Sequence, residues 1–140
     1  MKLVRSWLDA LFVTRDEQVY QDLIPGARSR GAREGPDTDL DGEGWKRFVR
    51  GFLAAFPDVE VFHEDALGDG ETVFNRSRFE MTHLGSFLGW PATGRRILVD
   101  SLACSLLQGG KAVQGYTSWD LAGALAQMGA LFLPPGPALS

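Results

Sequence analysis

The sequence predicts an α+β domain in which helices come first and an antiparallel meander follows. Three observations carry this. Apolar residues recur at three- and four-residue spacings in Leu3, Val4, Trp7, Leu8, Leu11 and Phe12, and again in Trp45, Phe48, Val49, Phe52, Leu53 and Phe56. Stripes of this kind mark helices that face a core. Beyond Pro57 the period changes to two, the spacing of strands. Between two strand-like runs, Gln108-Gly109-Gly110-Lys111 reads as a hairpin turn.

Taken in order, the first stripe is an amphipathic helix. A second helical piece is expected over Glu17–Leu23, stopped by Pro25-Gly26. Residues 26–44 are crowded with Gly, Arg and Asp and nearly lack apolar side chains, which predicts a long loop, read as a lid. Helix resumes near Gly44 and ends at Pro57. Val59, Val61 and His63 then alternate with Glu60, Phe62 and Glu64, a strand, and Gly68-Asp69-Gly70 signals a turn. Further strands are expected at Thr72–Thr82, Arg95–Leu107 and Ala112–Trp119, with a short turn or helix at Leu121–Leu131. Pro134–Ser140 reads as a loose tail, leaving residues 1–133 as one domain.

Bulk properties narrow the function. A chain of 140 residues has room for one core. A net charge of -4 argues against nucleic acid, which requires a basic face. No apolar run approaches the ~18–20 residues that cross a bilayer, so no membrane partner is expected. Met1-Lys2-Leu3-Val4-Arg5-Ser6-Trp7 lacks the apolar stretch of a signal peptide, and the expected location is cytoplasmic. Cys104 is the single cysteine and reads as a packing thiol. The two histidines, His63 and His83, do not have metal-ligand spacing, so no metal is expected. His63 reads as incidental.

Several residues have a chemical reading beside a structural one. Alternation in Thr72–Thr82 puts Phe74, Arg76, Arg78, Glu80 and Thr82 on one face. That face is either solvated or a dimer surface, or it lines a cavity where Arg76 holds a carboxylate or polarises a carbonyl. In the last strand Asp120 shares its parity with Ser118, Tyr116 and Gln114. A desolvated Asp120 would be suited to proton abstraction; equally, it could cap the helix beginning at Leu121. His83 stands where a strand ends and either bonds backbone or carries a proton. Trp90 offers a rim to a pocket.

The run Thr82-His83-Leu84-Gly85-Ser86-Phe87-Leu88-Gly89-Trp90-Pro91-Ala92-Thr93-Gly94-Arg95-Arg96, followed after Gly109-Gly110-Lys111 by a strand ending in Trp119-Asp120, resembles the SnoaL-like polyketide cyclases. The resemblance implies a cone-shaped α+β barrel of the nuclear transport factor 2-like superfamily. Its N-terminal helices would pack on a curled, mainly antiparallel sheet. It implies a cofactor-independent cyclase acting on a polyketide-like small molecule, with Asp120 as the acid/base group and His83 as a second catalytic candidate. Arg76, Tyr116, Gln114, Glu80 and Trp90 are then the expected substrate contacts, and a homodimer the expected assembly. The chain departs from the family where Gln114, Gly115 and Tyr116 replace its usual glutamate, histidine and tryptophan. Those departures keep alternatives open: epoxide opening, dehydration or hydroxylation in the same pocket, or a ligand-binding module without catalysis.

Overall fold

A computed structural model describes residues 8–15, 18, 28–31, 39–40 and 42–130. Its helices are α1 (Asp9–Thr14), wound as a π-helix, α2 (Gly42–Ala55) and α3 (Leu121–Gln127). Its strands are β1 (Arg28–Gly31), β2 (Asp39–Leu40), β3 (Glu60–Asp69), β4 (Thr72–Thr82), β5 (Arg96–Gln108) and β6 (Lys111–Trp119). They form one sheet in the order β2-β1-β6-β5-β4-β3, antiparallel except where β1 runs parallel to β6. The four long strands curl around α2, giving the expected α+β architecture.

Two parts of the sequence reading change. The segment expected as a loop over 26–44 contributes β1 and β2, and α2 begins two residues before Gly44. Backbone pairing with β6 supplies there what side-chain pattern does not: Ser29 sits opposite Gly115 and Arg30 opposite Tyr116. Leu3, Val4, Trp7, the tail Pro134–Ser140 and, Gln18 apart, the helical piece at Glu17–Leu23 lie outside the described residues.

The hairpins follow from glycine. Gly109 and Gly110 both hold positive φ, 58° and 75°, as a type I′ turn demands at its two central positions. The core forms where the α2 stripe meets the inner face of the sheet. Val49, Phe52, Ala55 and Phe56 pack with Phe79, Met81, Phe87, Ile97 and Val99. β6 ends opposite Ser101, so the edge of β5 beyond that point is bare of strand. α3 covers it: the Gln127 side-chain amide donates to the Leu98 carbonyl at 2.9 Å and accepts from the Leu98 amide at 2.8 Å. This closes an edge that would otherwise invite pairing.

Asp58 ties the far ends of β4 and β5 to the turn after α2. Its carboxylate accepts from the Thr82 amide at 2.7 Å, the Thr82 hydroxyl at 2.6 Å and Arg96 Nη1 at 3.1 Å. Burial opposes its ionisation, but the Thr82 hydrogen bonds and the Arg96 charge prevail and hold the carboxyl below its ordinary value of 3.8. A depressed folded pKa stabilises the fold above the ordinary value, and that contribution is lost as pH falls through the folded one. Asp58→Asn should therefore be the less stable form near neutral pH, by less than about 1 kcal/mol at this exposed site. The gap should close in strong acid. Urea titrations at both conditions check this, and a gap independent of pH refutes it. Among the described residues no helix is long and apolar enough to cross a membrane.

Candidate active site

Strand alternation decides which side chains can meet on the inner face of the sheet, toward α2. On β4 the inward series is Val73, Asn75, Ser77, Phe79 and Met81. Cross-strand register extends each position into a row. Phe79 stands opposite Val99, and Met81 opposite Ile97, forming an apolar floor. The next row is His63–Ser77–Ser101–Trp119, and the one after it Ala66–Asn75–Ala103–Thr117. A polar belt therefore crosses the concave face directly above the floor. Trp119, with Phe48, Phe52 and Phe87 around it at ring-centroid distances of 6.0–6.5 Å, closes one end.

The belt is buried and incompletely satisfied. Ser77 is 1% exposed, and Asn75 and Ser101 each 9%. Asn75 Nδ2 donates to Ser77 Oγ at 3.3 Å, while Asn75 Oδ1 has no hydrogen-bond partner. An orphaned buried acceptor costs about 1–3 kcal/mol, which a ligand hydroxyl would recover. Serving as acceptor to Asn75 leaves the Ser77 hydroxyl hydrogen available for a ligand carbonyl. At one end of the first row His63 Nε2 meets Asp9 Oδ1 at 2.9 Å, joining β3 to α1. Sequence reading missed this belt. Its signal was present, because Asn75 and Ser77 interrupt an otherwise apolar face between Val73 and Phe79.

Most of the residues expected to form the site do not join this belt. Arg76 and Glu80 point outward from β4. Arg76 pairs with Asp65 at 2.8 Å, whose hydrogen bond and charge raise the guanidinium pKa still further. Glu80 bridges Arg78 and Arg96 at 3.1 and 3.5 Å. The solvated-face reading of this strand is the one the structure supports. Gln114 and Tyr116 touch each other, also on the outer face. Tyr116 and Arg76 do share an open groove of about 860 Å³ with the outward-facing Phe74 and Leu102, and its lining also takes in Asn75 and Thr117. Trp90 is 47% exposed at the tip of the tight Phe87–Trp90 turn. His83 is fully buried, with Nδ1 3.0 Å from Thr93 Oγ1 and its ring 5.6 Å from that of Phe56. Its amide donates to the Arg95 carbonyl, and its carbonyl accepts from the Gly94 amide, so it fastens the β4–β5 connection.

Asp120 caps α3. Its Oδ1 accepts from the Gly123 amide at 2.8 Å, and the side chain is in solvent rather than in the hollow. A Cβ on Gly123 would stand 2.1 Å from Asp120 Oδ2, so glycine there makes room for the cap. The desolvated setting that proton abstraction needs is absent, because the shared parity of Gln114, Tyr116, Ser118 and Asp120 belongs to the convex face. Asp120→Ala should cost about 1 kcal/mol of stability and Asp120→Asn almost nothing, since both capping residues are good acceptors. Equal losses in thermal unfolding would contradict the cap. Among the described residues no group of three or more His, Cys, Asp or Glu side chains could hold a metal ion.

Comparison with known proteins agrees with this architecture. The family model described as SnoaL-like polyketide cyclase matches residues 2–128. IdmH of Streptomyces antibioticus, a candidate polyketide cyclase, is 29% identical with a TM-score of 0.80, over 91% of this chain and 96% of that one. TsrD of Streptomyces laurentii is 26% identical with a TM-score of 0.79, over 93% and 94%. AclR of Streptomyces galilaeus, a candidate hydroxylase, shares the fold with a TM-score of 0.82 at 20% identity, over 93% and 95%. No curated protein matches the chain.

Proposed function

Because this chain belongs to the SnoaL-like polyketide cyclase family, we propose that it is a cofactor-independent cyclase of polyketide-type natural products, closing a ring by acid/base catalysis in the concave hollow. The observation that carries the reading is the buried belt: Ser77 with a hydroxyl hydrogen to give and Asn75 with a carbonyl oxygen to receive one, set against aromatic rings. Apolar pockets with a few convergent polar groups are how proteins hold small organic substrates. In the reaction a proton leaves a carbon beside one carbonyl, that carbon attacks a second carbonyl of the same chain, and the new alkoxide takes up a proton. The product is an isomer, so neither oxidant nor reductant is consumed. The protein contributes orientation of a folded chain and a placed base. Similarity to IdmH supports the substrate class.

Chelator-treated protein incubated with a polyketide bearing an unclosed ring, followed by mass spectrometry, tests the proposal. A product of unchanged mass and altered retention is expected. Loss of water would mean dehydration, gain of oxygen hydroxylation, and an absolute need for an added cofactor would overturn the reading. A second reading, a binding module without turnover, draws on Asp120 being occupied as a cap and on Gly115 standing where the family has histidine. Tight binding of the same compound with no new product would favour it. Exposed Phe74, Leu98, Leu102 and Tyr116 support a homodimer through the convex face; a monomer in sedimentation equilibrium would refute that.

A further inference from the structure

We propose that His63, oriented by Asp9, is the base that removes the carbon-bound proton in the concave hollow. This rests on the hollow being the reactive site, as proposed above, and adds the proton carrier that the reading lacks. The starting point is the row His63–Ser77–Ser101–Trp119, in which the imidazole stands in register with Ser77 on the inner face. The His63 side chain is 16% exposed, whereas Asp9 is 50% exposed at the rim. Asp9 Oδ1 lies 2.9 Å from His63 Nε2. An ionised carboxylate can only accept, so Nε2 carries the hydrogen of this bond, and in the neutral ring Nδ1 is then the nitrogen with the lone pair. A carboxylate that fixes the tautomer and then balances the imidazolium is the arrangement of a general base.

Other candidates are removed by geometry. Asp9 is the charged group that the ring bonds. From β4 the facing side chains are Ser77, Asn75 and Phe79, all neutral. Glu64, Asp65 and Glu80 are paired with Arg78 and Arg76 on the convex side. His83, the other histidine, is fully buried in the β4–β5 connection. The position of the base also defines a substrate. A C–H beside a carbonyl held by the Ser77 hydroxyl, with a hydroxyl one carbon further on reaching Asn75 Oδ1, describes an enolisable β-dicarbonyl or β-hydroxy ketone. The proton passes from carbon to Nδ1, the electron pair is delocalised onto the carbonyl oxygen, and the imidazolium returns its proton to the alkoxide formed on ring closure.

The test uses 5-nitrobenzisoxazole, a flat aromatic probe whose isoxazole C3–H is lost to a base as its N–O bond breaks to give a nitrile and a phenolate. It needs no co-reactant and reports only proton abstraction. Full-length protein should accelerate ring opening at least ~10²-fold over buffer, the scale of a positioned base. His63→Ala and the more conservative His63→Gln should fall to the buffer rate while keeping the wild-type circular dichroism. Added imidazole should restore His63→Ala. Asp9→Asn should lower kcat at least ~10-fold with KM unchanged, because it disturbs the base and not the binding wall. Wild-type rates in both His63 variants, a loss confined to Asp120→Asn, or no acceleration by the folded protein would each overturn the proposal. If the probe is opened in a His63-dependent way while polyketides are not cyclised, the base stands and the substrate class fails.

Discussion

Replacing Phe52 by alanine should lower the unfolding free energy by about 3–5 kcal/mol, the range for removing a buried aromatic from a core that cannot collapse. Phe52 is 5% exposed and is the hub of the ring cluster. Its centroid lies 4.9 Å from that of Phe56, 5.5 Å from Phe12, 6.0 Å from Phe87, 6.2 Å from Phe79 and 6.5 Å from Trp119. Those partners come from α1, the residue just after α2, β4, β6 and the β4–β5 connection, so no single neighbour can move in to fill the space. The ring also packs edge-on against Phe79, part of the apolar floor. Urea unfolding monitored by tryptophan fluorescence measures the change; a loss under 1 kcal/mol would show that the cluster is looser than its geometry.

Gly85→Ala should be the next largest effect, about 1–3 kcal/mol, although it adds only a methyl group. An added Cβ would stand 2.5 Å from the Ala54 carbonyl oxygen and 3.1 Å from Ala55 Cα, both backbone atoms that cannot swing aside. The contact is close because the amides of Leu84 and Gly85 donate to the Ala55 carbonyl at 2.9 and 3.0 Å. They satisfy a carbonyl at the C-terminus of α2 that has no partner within its own helix. Relief of the clash must stretch those bonds and lift the β4–β5 connection off the helix. Thermal unfolding of Gly85→Ala beside Gly51→Ala, where an added Cβ meets nothing within 4 Å, separates the clash from a general glycine effect. Gly51→Ala should be neutral or stabilising, since alanine favours helix.

These two residues show what was legible in the sequence. Phe52 belongs to a stripe whose period announces a core-facing helix. The run around Gly85 carries the family resemblance, and the structure gives its residues fold-shaping work: Gly85 against α2, His83 bonded to Thr93, and Phe87 in the core. The strands Thr72–Thr82 and Ala112–Trp119 were readable within a residue at each end because alternation and flanking glycines agree. The site was harder to read, for a physical reason. Alternation divides side chains into two faces without saying which face is concave. On β4 the charged set Arg76, Arg78 and Glu80 is the solvated one, and the small polar residues between them, Asn75 and Ser77, are buried on the inner face. On β6 both faces are mixed, with Gly115 and Thr117 inside and Gln114 and Tyr116 outside. For Asp120 the residues alone point toward a cap and the family resemblance toward a base, and the 2.8 Å bond to the Gly123 amide shows it capping. The Asp9–His63 contact joins residues 54 positions apart, beyond the reach of any local pattern.

We propose that the reactive site lies on the concave face of the sheet. The most direct measurement is a crystal structure with a bound aromatic β-hydroxy ketone. The account predicts the ligand between α2 and the sheet, its carbonyl on the Ser77 hydroxyl, its hydroxyl on Asn75 Oδ1 and its acidic carbon facing His63. A ligand seated in the convex groove among Phe74, Arg76, Leu102 and Tyr116, leaving the concave belt untouched, would contradict it.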